Sequence, residues 1–156
     1  MLTKVANASP GVVSAFRVVV GFLLLCHGTS TLFAWPAAPY GGQTAAVGAW
    51  PSWWAAVIQL VAGAALIIGL GTRPAAFIAS GSMAVAYFWK HQPAALLPIA
   101  NDGDSAALYA WSLLLLVFLG AGPWGLDALV RRRRGRDAAA QGTAAQTSLG
   151  ADVQSA

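Results

Sequence analysis

The side chains of this protein that could do chemistry are few, and the most unusual of them interrupt an apolar run. Between Leu23 and Phe33 the sequence reads LLLCHGTSTLF, so that Cys26 and His27 stand side by side among apolar and hydroxyl residues. A thiol can act as a nucleophile, and an imidazole can act as an acid, a base, a metal ligand or a hydrogen-bonding group. Cys26 is the single cysteine, which excludes an intramolecular disulfide and a CxxC redox pair. We interpret it as a small buried side chain rather than a reactive thiol.

Further polar residues occupy comparable positions in the other apolar runs. Gln59 is the one long polar side chain of the second run and lies six residues after Trp53. Because a helix rises about 1.5 Å per residue, Gln59 and His27 are expected at a similar depth. Lys90 and His91 close the third run, and Asp102 and Asp104 precede the fourth. The sequence therefore predicts a polar cluster at one end of the molecule, formed by His27, Gln59, His91 and Asp104.

This cluster has two interpretations that the residues alone leave open. Polar groups inside an apolar segment are costly and commonly face a cavity or one another, so the cluster could hold a ligand. Equally, His27 and Gln59 could hydrogen bond across two helices and stabilise their packing by about 1 kcal/mol. Asp104 with Ser105 also fits an N-cap of the fourth helix. A metal site built from His27 and His91 has no ligand spacing to support it, and none is predicted.

The composition indicates which solvent surrounds these residues. Of 156 residues, 58% are hydrophobic and 9% are charged, whereas a typical soluble domain has about 25% charged residues. Between Val18 and Trp89, Arg73 is the one formal charge, and the chain contains no glutamate. A soluble domain could not cover its surface with so few charges, so we expect lipid as the solvent. The net charge of +4 arises largely from Arg131–Arg136, beside the last apolar run, which argues against a nucleic-acid partner.

Four apolar segments are expected to form transmembrane helices, because a chain in hydrocarbon must satisfy its backbone hydrogen bonds internally. Their expected bounds are residues 12–35, 53–70, 74–89 and 105–121. A spanning helix needs roughly 17–25 residues, so the last two are at the short limit. Gly69, Gly71 and Pro74 predict a tight turn that makes the second and third helices an antiparallel hairpin. The predicted fold class is an all-α membrane protein, a bundle of four transmembrane helices.

The distribution of Lys and Arg predicts the orientation of this bundle. Lys4, Arg73 and the Arg131–Arg136 cluster fall on the side that carries both termini, whereas the other side carries Lys90. The positive-inside rule then puts both termini in the cytoplasm. We divide the chain into a cytoplasmic N-terminus (1–11), a four-helix transmembrane domain (12–130), and a basic stop signal with a disordered cytoplasmic tail (131–156).

One ion pair is expected at the cytoplasmic end. Arg17 lies about one turn inside the first helix, and Asp127 follows the fourth. An ion pair between them would tie the first helix to the last. The alternative is that Arg17 extends to the lipid headgroups.

The order of these motifs resembles the DoxX family of bacterial four-helix membrane proteins. The similar stretches are FRVVVGFLLLCHGTSTLF in the first helix, QLVAGAALIIGLGTRPAA across the hairpin, and NDGDSAALYAWSLLLLVFLGAGPWGLD around the last helix. The chain departs from the family pattern in having Thr31, Gln59 and Asp104 where the family often has Lys, Glu and Glu. A neutral Thr and Gln thus stand where the family pattern suggests a buried ion pair, which argues against proton-coupled chemistry.

The resemblance implies a membrane subunit of a redox-associated complex in the bacterial inner membrane, since the family is associated with quinone-linked thiosulfate oxidation and with redox-stress complexes. On that interpretation the ligand would be a quinone, bound at the cluster of His27, Gln59, His91 and Asp104. The partners would be the lipid bilayer and redox proteins of the complex. Two alternatives are a non-catalytic scaffold subunit and a small-solute transporter, although the inverted repeats and broken helices typical of transport sites are absent from the sequence. A stand-alone enzyme is not predicted, because one Cys and no Glu leave few catalytic candidates.

Overall fold

The apolar runs form helices in the computed structural model, which describes residues 2–39, 41–136, 138 and 141 and contains no strand over them. The four α-helices are α1 (Leu2–Phe33), α2 (Ser52–Ile68), α3 (Thr72–Ala86) and α4 (Asp104–Leu119). A π-helix (Tyr87–His91) continues α3, and a short 3₁₀-helix (Pro98–Ala100) precedes α4. Residues 126–136 are helical again. The all-helical class expected from the sequence is confirmed.

At both ends of the chain, helix extends beyond the expected apolar segments. α1 begins at Leu2, so residues expected to form a separate N-terminal segment continue the helix, and its apolar part begins at Ser9. Hydropathy detects only that apolar part, because a helix can extend beyond its apolar section. The basic run Arg131–Arg136 lies within the helix of residues 126–136. The tail expected beyond it lies, apart from residues 138 and 141, outside the described residues.

The helices differ in whether they are long enough to cross a membrane. Among the described residues, the Ser9–Phe33 part of α1 is the one helix both long and apolar enough to cross a membrane. α2 and α4 are apolar but shorter, with 17 and 16 residues. The 15 residues of α3 pass directly into the five-residue π-helix, so this helical segment is longer than α3 alone.

The core consists mainly of leucine and alanine side chains from all four helices, together with Val20 and Met83. α1 packs mainly on α2, and α3 packs mainly on α4. Leu24, Leu66, Leu113 and Leu116 are completely buried, and α3 contributes smaller side chains such as Ala76. Larger apolar side chains are exposed on all four helices, among them Val19, Phe22, Val61, Phe77, Trp111 and Phe118. An outer surface of this kind suits contact with lipid rather than water.

Glycine residues let α1 and α2 approach each other closely. A Cβ atom on Gly63 would lie 2.8 Å from the carbonyl oxygen of Gly21 and 2.8 Å from the amide nitrogen of Leu25. Across the same interface, a Cβ atom on Gly28 would lie 2.8 Å from the amide nitrogen of Leu60. Side chains at these positions would push the two backbones apart. Contacts between small residues are a usual means by which helices associate in membranes.

The close contact of α1 and α2 predicts that replacing glycine by alanine destabilises the protein at position 63 but not at position 81. Gly63→Ala is expected to lower the free energy of unfolding by about 1–3 kcal/mol, because the new methyl group would separate α1 from α2. Gly81→Ala is the matched control, since a Cβ atom at that position of α3 would meet nothing within 4 Å. It should be neutral or slightly stabilising through helix propensity. Unfolding in a fixed detergent, followed by circular dichroism, measures both, and equal effects would contradict the close contact.

Candidate functional site

A cavity of about 680 Å³ lies at the end of the helices where α1 ends and α2 and α4 begin. Its lining includes His27 of α1, Gln59 of α2, Met83 of α3 and Ala106 of α4, together with residues of the connecting loops. Ligand pockets commonly measure about 300–1,000 Å³, so a small organic molecule fits. We call it the polar cavity, because the side chains that border it include His27, Gln59, Lys90, His91, Asp102 and Ser105.

The His27 ring lies where α1 meets α4. It makes an edge-to-face contact with Tyr109, with 5.5 Å between the ring centroids. The imidazole is otherwise exposed and borders the polar cavity, so it can contact a molecule bound there. Thr29, two residues further along α1, directs its hydroxyl back to the carbonyl groups of Leu25 and Cys26 at 3.1 Å. The Thr29 hydroxyl is thus satisfied within its own helix, whereas His27, Ser30 and Thr31 of the same stretch border the cavity.

Gln59 is a buried residue on the α2 side of the cavity. Its amide nitrogen donates a hydrogen bond to the thioether sulfur of Met83, at 3.4 Å. A thioether is a weak acceptor, so an oxygen atom of a ligand would compete well for this donor. Within the part of the chain that the structure describes, no hydrogen bond joins His27 to Gln59. Both side chains instead line the polar cavity.

The π-helix brings Lys90 and His91 to the cavity wall. Its wider turn is closed by a bond from the N–H of Gln92 to the carbonyl of Tyr87, at 2.9 Å, and such wide turns occur frequently at functional sites. The Nδ1 atom of His91 lies 3.0 Å from the backbone carbonyl oxygen of Asn101. Because a carbonyl oxygen can only accept, Nδ1 carries the proton, and Nε2 of the neutral ring is an acceptor.

Asn101 fixes the loop that positions His91. Its side chain is buried and donates a hydrogen bond to the carbonyl of Ala95, at 2.7 Å. Its amide oxygen accepts a hydrogen bond from the N–H of Gly103, at 2.9 Å. The loop between the π-helix and α4 is therefore held by side-chain bonds, and the His91 ring is bound to that loop.

The two carboxylates of this loop lie in different surroundings. Asp102 borders the polar cavity, whereas Asp104 is exposed as the first residue of α4. A carboxylate there suits the positive end of the helix dipole. The backbone of Asp102 is left-handed, with φ +54°, and this turn reorients the chain immediately before α4. Spacing along the sequence could not reveal such a turn.

The connection between α1 and α2 forms the outer wall of the polar cavity. Gln43, Thr44 and Ala45 border it, and the N–H of Ala45 donates to the carbonyl of Thr31 at 2.9 Å. Sequence reasoning did not assign this loop to the site, because its Pro- and Gly-rich composition indicates only irregular structure. It is the part of the chain that separates the cavity from the surroundings.

Sequence reasoning also missed Met83 and Tyr109. Met83 lies seven residues, about two helical turns, before Lys90, so helical periodicity could have placed both on the same face. Tyr109 lacks such a signal, because its contact with His27 depends on how α1 crosses α4. Contacts between distant helices leave no periodic trace in a single sequence.

The cavity offers hydrogen bonds and charge. Gln59 and Lys90 supply donors, Nε2 of His91 and the Asp102 carboxylate supply acceptors, and the His27 imidazole can supply either. Over the residues that the structure describes, no group of three or more His, Cys, Asp or Glu side chains is arranged to hold a metal ion. The arrangement suits a small molecule that carries both carbonyl and hydroxyl functions.

At the opposite end, Arg17 is buried among backbone carbonyl groups. Its guanidinium donates hydrogen bonds to the carbonyls of Leu66 and Ile67, the latter at 3.0 Å, and to that of Ala121 at 2.9 Å. Leu66 and Ile67 lie in the last turn of α2, where carbonyl groups have no partner within the helix. The side chain is 1% exposed, so it is directed into the protein rather than toward lipid headgroups. Arg17 thus caps α2 and ties it to the segment after α4.

Asp127 lies at the same end and binds the beginning of α3. Its Oδ1 and Oδ2 atoms accept hydrogen bonds from the N–H groups of Gly71 and Thr72, each at 2.9 Å. Its own N–H donates to the carbonyl of Gly69, at 2.9 Å. Among the described residues, Arg17 and Asp127 therefore hydrogen bond to backbone groups rather than to each other. The cation lies at the negative end of α2 and the anion at the positive end of α3.

The charge of Asp127 is favoured by its hydrogen bonds. Burial of the carboxyl group alone would raise its pKa, but the backbone N–H groups of Thr72 and Gly71 and the nearby Arg131 favour the charged form. The balance holds the pKa of Asp127 below its ordinary value of 3.8. Asp127 is therefore a carboxylate at neutral pH.

These features define a class of protein. A long apolar helix in α1 and an apolar outer surface are typical of a helical membrane protein. The sequence model of the DoxX family matches residues 12–92, which run from α1 through the π-helix, and the chain belongs to the DoxX family. This confirms the resemblance noted from the sequence.

A relative supports the same assignment. A protein of Haemophilus influenzae with the name "Uncharacterized protein" is 41% identical over 121 residues, which cover 76% of this chain and 90% of that protein. No solved structure matches the chain.

The hydrogen bonds of Asp127 predict a contribution to stability that depends on pH. Asp127→Asn keeps the shape of the side chain but removes its charge, and it should lower the free energy of unfolding by about 1–3 kcal/mol near neutral pH. Because the folded-state pKa is lowered, the carboxylate stabilises the fold above the ordinary value of 3.8, and this contribution is lost as the pH falls through the folded-state pKa. The difference between wild type and variant should close on acidification.

Thermal unfolding in detergent between about pH 7 and about pH 3 measures this difference. Asp104→Asn is the matched control, because Asp104 is exposed, and its effect should stay within about 0.5 kcal/mol. A difference for Asp127→Asn that is constant over the whole range would contradict the stabilising role of the carboxylate.

Proposed function

We propose that the chain is a multi-pass protein of the bacterial inner membrane, in which α1, α2, α3 with its π-helix, and α4 each span the bilayer. The 16 or 17 residues of the shorter helices extend about 25 Å at 1.5 Å per residue. Flanking residues and local thinning of the bilayer accommodate such a length. Arg73 and Arg131–Arg136 mark the cytoplasmic side, so both termini lie in the cytoplasm. On this topology the polar cavity opens toward the outer side of the membrane.

Reporter fusions test this topology. Alkaline phosphatase, which is active only outside the cytoplasm, should be active when fused after Gly42 and inactive when fused after Gly71 or after Ala156. Green fluorescent protein, which becomes fluorescent only in the cytoplasm on this export route, should show the reverse pattern. Phosphatase activity at the C-terminal fusion would contradict the four-span topology with cytoplasmic termini.

We further infer that the polar cavity binds the ring of a quinone and that the chain serves as a membrane subunit of a redox-associated complex. The observation that carries this proposal is the meeting of His27, Gln59 and His91 around one cavity of about 680 Å³. These residues come from helical segments that are far apart in the sequence. The family's association with quinone-linked oxidation suggests the ligand class.

The donors and acceptors of the cavity match both redox forms of such a ring. A quinone carbonyl accepts hydrogen bonds, which the Gln59 amide can donate when it releases the weak Met83 acceptor, and which the His27 imidazole can also donate. A quinol hydroxyl donates a hydrogen bond, which Nε2 of His91 can accept because Nδ1 is bound to the Asn101 carbonyl. Electrons would be exchanged with a redox protein bound to the subunit, so this chain supplies binding and orientation.

A non-catalytic scaffold subunit is the second candidate. The contact between His27 and Tyr109 favours it, since an edge-to-face ring pair stabilises the packing of α1 against α4 by about 0.5–1.5 kcal/mol. On this function the polar cluster stabilises the helices and holds no redox ligand.

Two variants separate these functions. Wild-type protein in detergent should bind the chain-free dimethoxy-methyl-benzoquinone, as measured by isothermal titration calorimetry. His27→Ala and Gln59→Leu should each weaken binding about tenfold, because each removes a hydrogen bond of roughly 1–1.5 kcal/mol to the ligand. Thr29→Ala is the matched control, since its hydroxyl bonds within its own helix, and it should bind like wild type.

The scaffold function predicts a different result. Wild-type protein would bind no quinone, and His27→Ala would lower the unfolding temperature or the yield of the parent complex. The activity per assembled complex would be unchanged. That combination would contradict the quinone proposal.

A further inference from the structure

A second cavity, of about 280 Å³, lies between the beginning of α2 and the end of α3, and its lining is almost entirely apolar. Trp50, Trp54 and Trp89 form much of its wall, together with Ile58 and Val85. We call it the tryptophan groove. Nothing in the chemistry of the polar cavity requires it, so its presence needs a separate explanation.

The tryptophan groove adjoins the polar cavity. Ser52, Ala86 and Lys90 border both spaces. Ala86 is the last residue of α3 and Lys90 lies in the π-helix. The two spaces are therefore separated at the point where the α-helix becomes a π-helix. Ser52 and Ala86 are small, so the partition is thin at these two positions. One elongated molecule could therefore occupy both spaces.

The tryptophan groove lies on the outer surface of the helices. Trp54, Val85 and Trp89 are 49%, 48% and 64% exposed. In a bilayer such a surface faces hydrocarbon. The polar cavity, in contrast, is bordered by ionisable side chains and by the loop between α1 and α2. The two adjoining spaces thus have the polarity of a molecule with a polar head and an apolar chain.

We propose that the tryptophan groove holds the apolar chain of the same molecule whose polar ring lies in the polar cavity. The inference rests on the proposed function, from which it takes the ring, and it adds that the ligand is a lipid-soluble, chain-bearing quinone. Such a molecule reaches the site sideways from the bilayer, and its chain remains in an apolar environment throughout. Ser52, Ala86 and Lys90 border both spaces, and this adjacency is the reason to assign both spaces to one ligand.

Two compounds that share one ring test this proposal. The chain-free dimethoxy-methyl-benzoquinone probes the polar cavity alone, and decylubiquinone carries the same ring with a decyl chain. Ala55→Phe and Ser82→Phe introduce a large side chain into the groove from α2 and from α3. Each should weaken binding of the decyl compound about tenfold, which is about 1.4 kcal/mol, because the new ring would occupy the space of the decyl chain. Each should leave binding of the chain-free compound unchanged.

Ala64→Phe is the matched control, since Ala64 lies on an exposed face of α2 and does not line the groove. Calorimetric titrations at one fixed detergent concentration give both dissociation constants, so that partitioning of the decyl chain into detergent is the same for every variant. Thermal unfolding shows which variants are folded. The new phenylalanine enters the groove from α2 in one variant and from α3 in the other, so one folded variant is sufficient for the test.

The outcomes separate this inference from the proposed function. If the folded groove variants bind both compounds like wild type, the chain lies elsewhere and the inference is overturned, while the proposed function stands. If they lose both compounds, the ring itself lies in the groove, which also overturns the inference. If wild type binds neither compound, the proposed function fails and the inference fails with it.

Discussion

The rest of the structure depends on how the buried Arg17 guanidinium is satisfied. An ion that leaves water without hydrogen-bond partners costs several kcal/mol, and Arg17 is 1% exposed. Its partners are the carbonyl groups of Leu66 and Ile67 in the last turn of α2 and the carbonyl of Ala121. The guanidinium N–H groups need acceptors and the carbonyl groups at the end of α2 need donors, so the two sets of groups satisfy each other. α1, α2 and the segment after α4 are therefore fixed to one another at a single point.

Asp127 extends this arrangement to the remaining helix. Its carboxylate binds the N–H groups of Gly71 and Thr72 at the beginning of α3, so the connection between α2 and α3 carries a cation on one side and an anion on the other. α1 packs mainly on α2 and α3 mainly on α4, so these contacts join two helix pairs. At the opposite end the polar cavity is lined by all four helices and by residues of the connecting loops.

The sequence predicts the helical class and the family, because both depend on the composition and order of apolar segments. It also predicts that His27, Gln59 and His91 lie at one end, since the rise of a helix is constant and depth can be counted in residues. The partners of Arg17 could not be predicted, because every residue carries a backbone carbonyl and such partners leave no trace in residue types. The different positions of Asp102 and Asp104 could not be predicted either. They depend on a single left-handed residue, and in a helix one residue changes the direction of a side chain by about 100°.

The π-helix at the end of α3 connects the local backbone to both cavities. Its wider turn is intrinsically less favourable than a regular α-helical turn and persists where other contacts support it. Here that support is the hydrogen bond from His91 to Asn101, whose own side chain is bound to Ala95 and to the N–H of Gly103. The same wide turn carries Lys90, which borders the polar cavity and the tryptophan groove. A return to regular α-helical winding would rotate Lys90 and His91 together. The boundary between the two cavities and the hydrogen-bonding state of His91 therefore depend on one feature of the backbone.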